Sequence, residues 1–87
     1  FRVSFDNLMA AQVGLKSAGI VPLDFYRQPS NEPSVLAWMP AAAVYFLDPD
    51  GHLLEYISLL DEQPLAKLGV VTWSEWRSTV EQAVSYI

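Results

Sequence analysis

Cysteine is absent from the sequence. That removes disulfide staples, thiolate metal sites and cysteine nucleophiles together. Histidine occurs once, at His52. A histidine-based triad or a multi-histidine zinc site therefore cannot be built within one copy of the chain. Basic residues are few: five Lys and Arg stand against ten Asp and Glu, a formal net charge of −5. Nucleic-acid binding through phosphate contacts needs clustered cations, so no such partner is expected. No apolar run approaches the roughly 20 residues of a membrane span. No signal peptide is visible, and a cytoplasmic location is the default expectation.

What the chain does have is apolar surface. Hydrophobic residues make up 52% of its 87 positions, and mean hydropathy is +0.19. One domain is the ceiling at this length. A domain this small buries only about 60–65% of its unfolded surface. The apolar surplus therefore points to a partner surface, or to a part of something larger. Phe1 already stands inside an apolar run, which suggests a piece cut from a longer protein.

Along the chain, "FRVSF" at 1–5 alternates, with Phe1, Val3 and Phe5 on one face; this predicts a short strand. Asp6 or Asn7 offers a helix cap, and Leu8, Ala11, Leu15 and Ala18 follow at helical spacing before Gly19. A helix over 7–18 is expected. "IVPLDFY" at 20–26 is a strand candidate, placed at an edge or strand start by Pro22. "RQPSNEP" at 27–33 reads as loop. "SVLAWMP" at 34–40 reads as a short strand or an arm over a cavity.

Residues 41–48 and 52–60 form the strongest hairpin signal, joined by "DPDG". Pro49 presets φ for the second turn position, and Gly51 supplies the left-handed conformation needed before the next strand. "DEQPLAKLG" at 61–69 reads as a linker. Thr72 and Glu75 match a capping box, with Trp76, Val80, Ala83 and Ile87 on one stripe of a helix over 73–86. The mixture of helix and antiparallel hairpin predicts an α+β fold.

In the strand from His52, residues Leu53, Glu55, Ile57 and Leu59 point one way, and Leu54, Tyr56, Ser58 and Leu60 the other. Both rows are mostly apolar, so both sides are expected to be covered. The 7–18 helix accounts for one; a second sheet, a partner chain or a cleft must account for the other. An ionised carboxylate in an apolar row costs several kcal/mol unless it is paired. Glu55 therefore ligates a cation in a cleft, pairs with a buried arginine, or lies on a solvent-exposed row.

"AAAVYFLDPDGHLLEYISLL" resembles the hallmark segment of the glyoxalase / bleomycin-resistance / extradiol-dioxygenase superfamily, the vicinal-oxygen-chelate fold. Residues 1–60 fit one βαβββ module of that fold, and 61–87 form a linker and added C-terminal helix. The tail "LAKLGVVTWSEW" looks like the end of a glyoxalase-like subgroup. The resemblance implies that two modules enclose a cleft. The second would be an N-terminal module missing from this sequence, or another copy in a homodimer. It also implies a small-molecule ligand with neighbouring oxygens and a lyase or dioxygenase type of chemistry. Glu55 would be the last-strand ligand of one divalent metal, drawn from Zn, Ni, Mn, Co or Fe.

Arg2 departs from the pattern. It stands at the first-strand ligand position, where the family uses His, Gln or Glu to bind metal. A guanidinium cannot ligate. The alternative is a metal-free binding protein in which Arg2 and Glu55 face one cleft as an ion pair and receive a polar or anionic ligand. Trp38, Met39 and Tyr26 could line that cleft and stack on a ligand, or be core or partner-facing. His52 at the turn exit reads as structural, as do Asp48 and Asp50. Trp73 and Trp76 are expected to dock the last helix, and Arg27 to lie on the surface.

Overall fold

The computed structural model describes residues 1–85. Helix α1 spans Phe5–Ser17, strand β1 Ser34–Leu36, β2 Ala41–Leu47, β3 Leu53–Leu59, β4 Val70–Thr72 and helix α2 Trp73–Ser85. A short 3-10 turn at Ala66–Leu68 precedes β4. The strands form one antiparallel sheet in the order β3-β2-β1-β4. The architecture is α+β, with a four-stranded sheet and two helices. Among the described residues, no helix is long and apolar enough to cross a membrane.

The hairpin forms where its turn residues require it. Asp48 Oδ1 accepts from the backbone nitrogens of Asp50 at 2.9 Å and His52 at 2.8 Å. The Gly51 nitrogen donates to the Asp48 carbonyl. Gly51 has φ +86°, where any Cβ is strained. The register that results runs from Leu47 opposite Leu53 to Ala41 opposite Leu59. It sets Tyr45 directly opposite Glu55.

The N-terminal expectation needs correction. Ser4, not Asp6 or Asn7, caps α1, its hydroxyl accepting from the Asn7 nitrogen at 3.2 Å. The helix begins at Phe5, so the predicted 1–5 strand is cut to three residues. These still pair in parallel with β3: Ile57 donates to Phe1 and receives from Val3, with Arg2 bridged to Ile57. Phe5 leaves the strand alternation and packs on Trp73, ring centroids 4.7 Å apart. A side-chain cap one turn earlier outcompetes further strand pairing, because it satisfies a helix donor that would otherwise be orphaned.

Two further segments differ. Residues 20–26 contribute only Leu23, bridged to Tyr45 and Pro29. The stretch after the hairpin is not all connector, since Val70–Thr72 becomes β4 on the outer edge of β1. The capping box forms as the sequence predicts. Thr72 donates its nitrogen to Glu75 Oε1, and Glu75 donates to Thr72 Oγ1, each at 3.1 Å. Tyr86 and Ile87, which the sequence placed on and after the last helical turn, lie outside the described residues.

Both helices pack on the same face of the sheet. Leu8 and Leu15 of α1, Trp76 of α2, and Val35, Ala42, Val44 and Phe46 of the strands form one buried cluster. Leu54, Tyr56 and Leu60 join it from the even-numbered row of β3 and the residue after it. Each large aliphatic side chain withdrawn from water here contributes about 1.5–3 kcal/mol before entropy is counted. Trp76 is fully buried and donates its indole N–H to Glu62 Oε1 at 3.0 Å. That bond resolves the one polar atom of an otherwise apolar anchor.

Candidate functional site

With both helices on one side, the row containing Glu55 turns to the other. Residues opposite one another in an antiparallel ladder share a face. Leu53, Glu55, Ile57 and Leu59 therefore stand beside Leu47, Tyr45, Ala43 and Ala41 on the helix-free face. Arg2, bridged to Ile57, belongs to the same face. Leu47, Leu53 and Leu59 are 48%, 38% and 46% exposed there. Part of the apolar surplus seen in the composition is thus displayed on this side of the sheet, although Ala41 and Ala43 beside it are buried.

Glu55 is half-buried at the centre of this face. It lines an open depression of about 290 Å³ with Tyr45, Leu53, Leu54 and Phe1. The Phe1 α-ammonium donates to the Glu55 carbonyl at 2.7 Å, on the edge of β3 away from β2. The side chain meets Tyr45. Burial, then the Glu55 charge, then a hydrogen bond to the Glu55 carboxylate push the Tyr45 phenol up to about 12. The phenol stays protonated at neutral pH and can donate to the carboxylate.

Arg2 and Glu55 share a face but not a pocket. Arg2 lines a separate depression of about 540 Å³ with Ser58, Leu59 and Asp61. The ion pairs among the described residues are His52–Asp48 and Arg77–Glu81. The Arg2–Glu55 pair expected from the sequence is not formed. Trp38 and Tyr26 are 47% and 65% exposed. Neither lines the Glu55 depression.

Tyr26 nevertheless belongs to an aromatic array that reaches the site. Its ring meets Phe25 edge-on, 5.4 Å between centroids at 87°. Phe25 meets Tyr45 at 6.2 Å and 74°. Asp24 organises the loop that carries Phe25 and Tyr26, its Oδ1 accepting from the nitrogens of Tyr26 and Gln28. Arg27 takes φ +64° to close this loop, a conformation that costs a non-glycine residue roughly 1–2 kcal/mol. The Phe25 nitrogen donates to Ser34 Oγ at 3.0 Å and ties the loop to β1.

Tyr45 and Phe25 were missed in the sequence, though a signal for Tyr45 existed. Counting outward from the Asp48–His52 turn places position 45 opposite 55. Phe25 had none, since only loop folding brings it to β2.

A divalent metal at Glu55 requires several oxygen or nitrogen donors. Arg2 cannot supply one. Among the described residues, Glu55 joins no group of three His, Asp or Glu side chains. One chain's own residues do not fit a metal at this position. Such a group does occur at the hairpin turn, where Asp48, Asp50 and His52 place ligand atoms within 4.8 Å of one another. Its contacts have a structural cause. Asp48 holds the turn through Oδ1, and its Oδ2 lies 3.1 Å from His52 Nδ1. The structural role expected for His52 accords with this geometry.

No family model, no curated protein and no solved structure matches this chain.

Proposed function

We propose that the chain is a small-molecule-binding module of the glyoxalase / bleomycin-resistance type, with its helix-free sheet face as one wall of a cleft. The observation that carries this is Glu55. It is a carboxylate held at the centre of an outward-facing, largely apolar sheet surface, with a protonated phenol beside it. The order of pairing supports a βαβββ module. Residues 1–3 run parallel to β3, α1 crosses over the sheet, and Leu23 with β1 takes the far edge of β2. The opposite wall would come from a further module or from a second copy of the chain.

Binding without metal agrees best with the donor set of this face. The sequence resemblance favours a second reading. A metal-dependent lyase or dioxygenase would use Glu55 as one ligand and take the others from the opposite wall.

Two measurements on the full chain test these proposals. In a nuclear magnetic resonance screen with neutral, anionic and cationic fragments, amide shifts should concentrate in residues 43–47 and 53–57. Shifts confined to other surfaces, or none at all, would overturn the binding proposal. Elemental analysis after growth with Zn, Ni, Mn, Co and Fe should find no stoichiometric metal. One metal per chain, lost in Glu55→Gln, would instead establish the metal-dependent form.

A further inference from the structure

We propose that the depression beside the N-terminus of α1 receives a zwitterion of the α-amino-acid kind, its carboxylate on the donors of α1, β3 and Arg2 and its ammonium on Asp61. This site stands apart from the Glu55 depression and does not depend on it.

The depression, about 540 Å³, opens where the N-terminal arm leaves the outer edge of β3. Val3 donates to the Ile57 carbonyl, and the chain then turns away at Ser4 to begin α1. The next rung of a parallel ladder would join the Leu59 N–H to the Val3 carbonyl, and that rung is not formed. Ile57 gives both its backbone groups to the arm, so Leu59, two residues on, turns its N–H to the same side. The Phe5 N–H, the first of α1, also lacks a partner, since the Ser4 hydroxyl and carbonyl are taken by Asn7 and Leu8. Free N–H groups of two elements thus border one depression.

The side chains supply independent evidence. Ser58 lines the depression and is only 2% exposed, yet its hydroxyl makes no hydrogen bond among the described residues. A hydroxyl withdrawn from water without a partner costs about 1–3 kcal/mol, and a ligand oxygen removes that cost. Arg2 and Asp61 line the same depression, and both are exposed. Among the described residues neither is in an ion pair. A cation and an anion therefore border one space without meeting each other.

The same features discriminate among ligands. The two N–H groups, the hydroxyl, the guanidinium and the positive end of α1 all favour an oxyanion. Asp61 opposes a dianion such as phosphate, and the net charge of −5 repels any net anion. A cation alone would leave the donors unmet. A ligand that carries an ammonium beside its carboxylate arrives neutral and satisfies both ends of the depression.

The test titrates L-alanine, propionate and ethylamine separately into the full chain, followed by amide shifts at Phe5 and Leu59. L-Alanine should bind about fivefold more tightly than either singly charged probe, the ratio that one further exposed charge pair supplies. Arg2→Gln and Asp61→Asn alter exposed side chains and should retain the wild-type circular dichroism. The first should remove most of the preference over ethylamine, and the second most of that over propionate. Ser58→Ala should weaken alanine and propionate and leave ethylamine unchanged. Equal binding of the three probes, a preference for alanine that survives both exposed substitutions, or no shift at Phe5 and Leu59 overturns the proposal. The binding face around Glu55 stands or falls separately, by its own fragment screen.

Discussion

The Tyr45–Glu55 contact can be weighed by titration. The Tyr45 phenol ionises near 12 instead of 10.0, held there first by burial, then by the Glu55 charge and the hydrogen bond to Glu55. Glu55→Gln removes the charge and keeps an acceptor of the same shape. The phenol should then fall part of the way back and remain above 10.0, because burial is untouched. Each pKa unit corresponds to about 1.4 kcal/mol, so the full shift corresponds to about 2.7 kcal/mol. Tyr45 is only partly withdrawn from solvent, and screening reduces this to about 1–2 kcal/mol. The sign follows from linkage. A phenol whose folded pKa is raised contributes stability that is complete below pH 10 and is lost as pH rises through 12. Alkaline titration read by tyrosinate ultraviolet absorbance should show one of the four tyrosines ionising late. Circular dichroism over the same range separates ionisation from unfolding. Tyr45→Phe should abolish the late step, and Glu55→Gln should move it to lower pH. A single unresolved transition in the wild type, or a late step indifferent to Glu55→Gln, would refute the contact.

Two further outcomes concern the frame around the site. Trp76→Phe leaves an aromatic in the core but removes volume and the bond to Glu62. It should cost about 2–3 kcal/mol and lower Tm by about 10–20 °C in a chain of this size; a fall of only a degree or two would mean that α2 is not anchored through Trp76. The Asp48 carboxyl is held below its ordinary 3.8, chiefly by the His52 backbone N–H. Its stabilisation is present above that ordinary value and is lost as pH falls through the lowered one. Acid unfolding of Asp48→Asn should therefore show a weaker pH dependence on that side than the wild type, and identical acid profiles would contradict the turn geometry.

Features fixed by neighbours in sequence were legible without the fold. Asp48, Pro49 and Gly51 dictate a turn by their own dihedral preferences and local hydrogen bonds, and counting outward from them sets the register. Thr72 and Glu75 form their reciprocal cap within one helical turn. The alternation of β3 correctly separated the Glu55 row from the Tyr56 row. Where local signals competed, sequence alone could not decide. "FRVSF" carries both a strand pattern and a helix cap, and the cap at Ser4 prevailed once α1 could bury Leu8 and Leu15.

The tertiary structure alone decided which side of the sheet stays open. Both helices bury their apolar stripes against Val35, Ala42 and Val44, and that choice turns Glu55 outward. It also separated Arg2 from Glu55, although both lie on the same face. Short pieces such as β4 exist only because β1 offers an edge to pair with, so three residues of β-branched sequence carried no independent signal. The sequence by itself determined that a carboxylate would stand mid-strand among apolar residues. Only folding brought Phe25 from a distant loop to Tyr45, because that contact depends on how Asp24 and Arg27 bend the chain and not on any spacing within it.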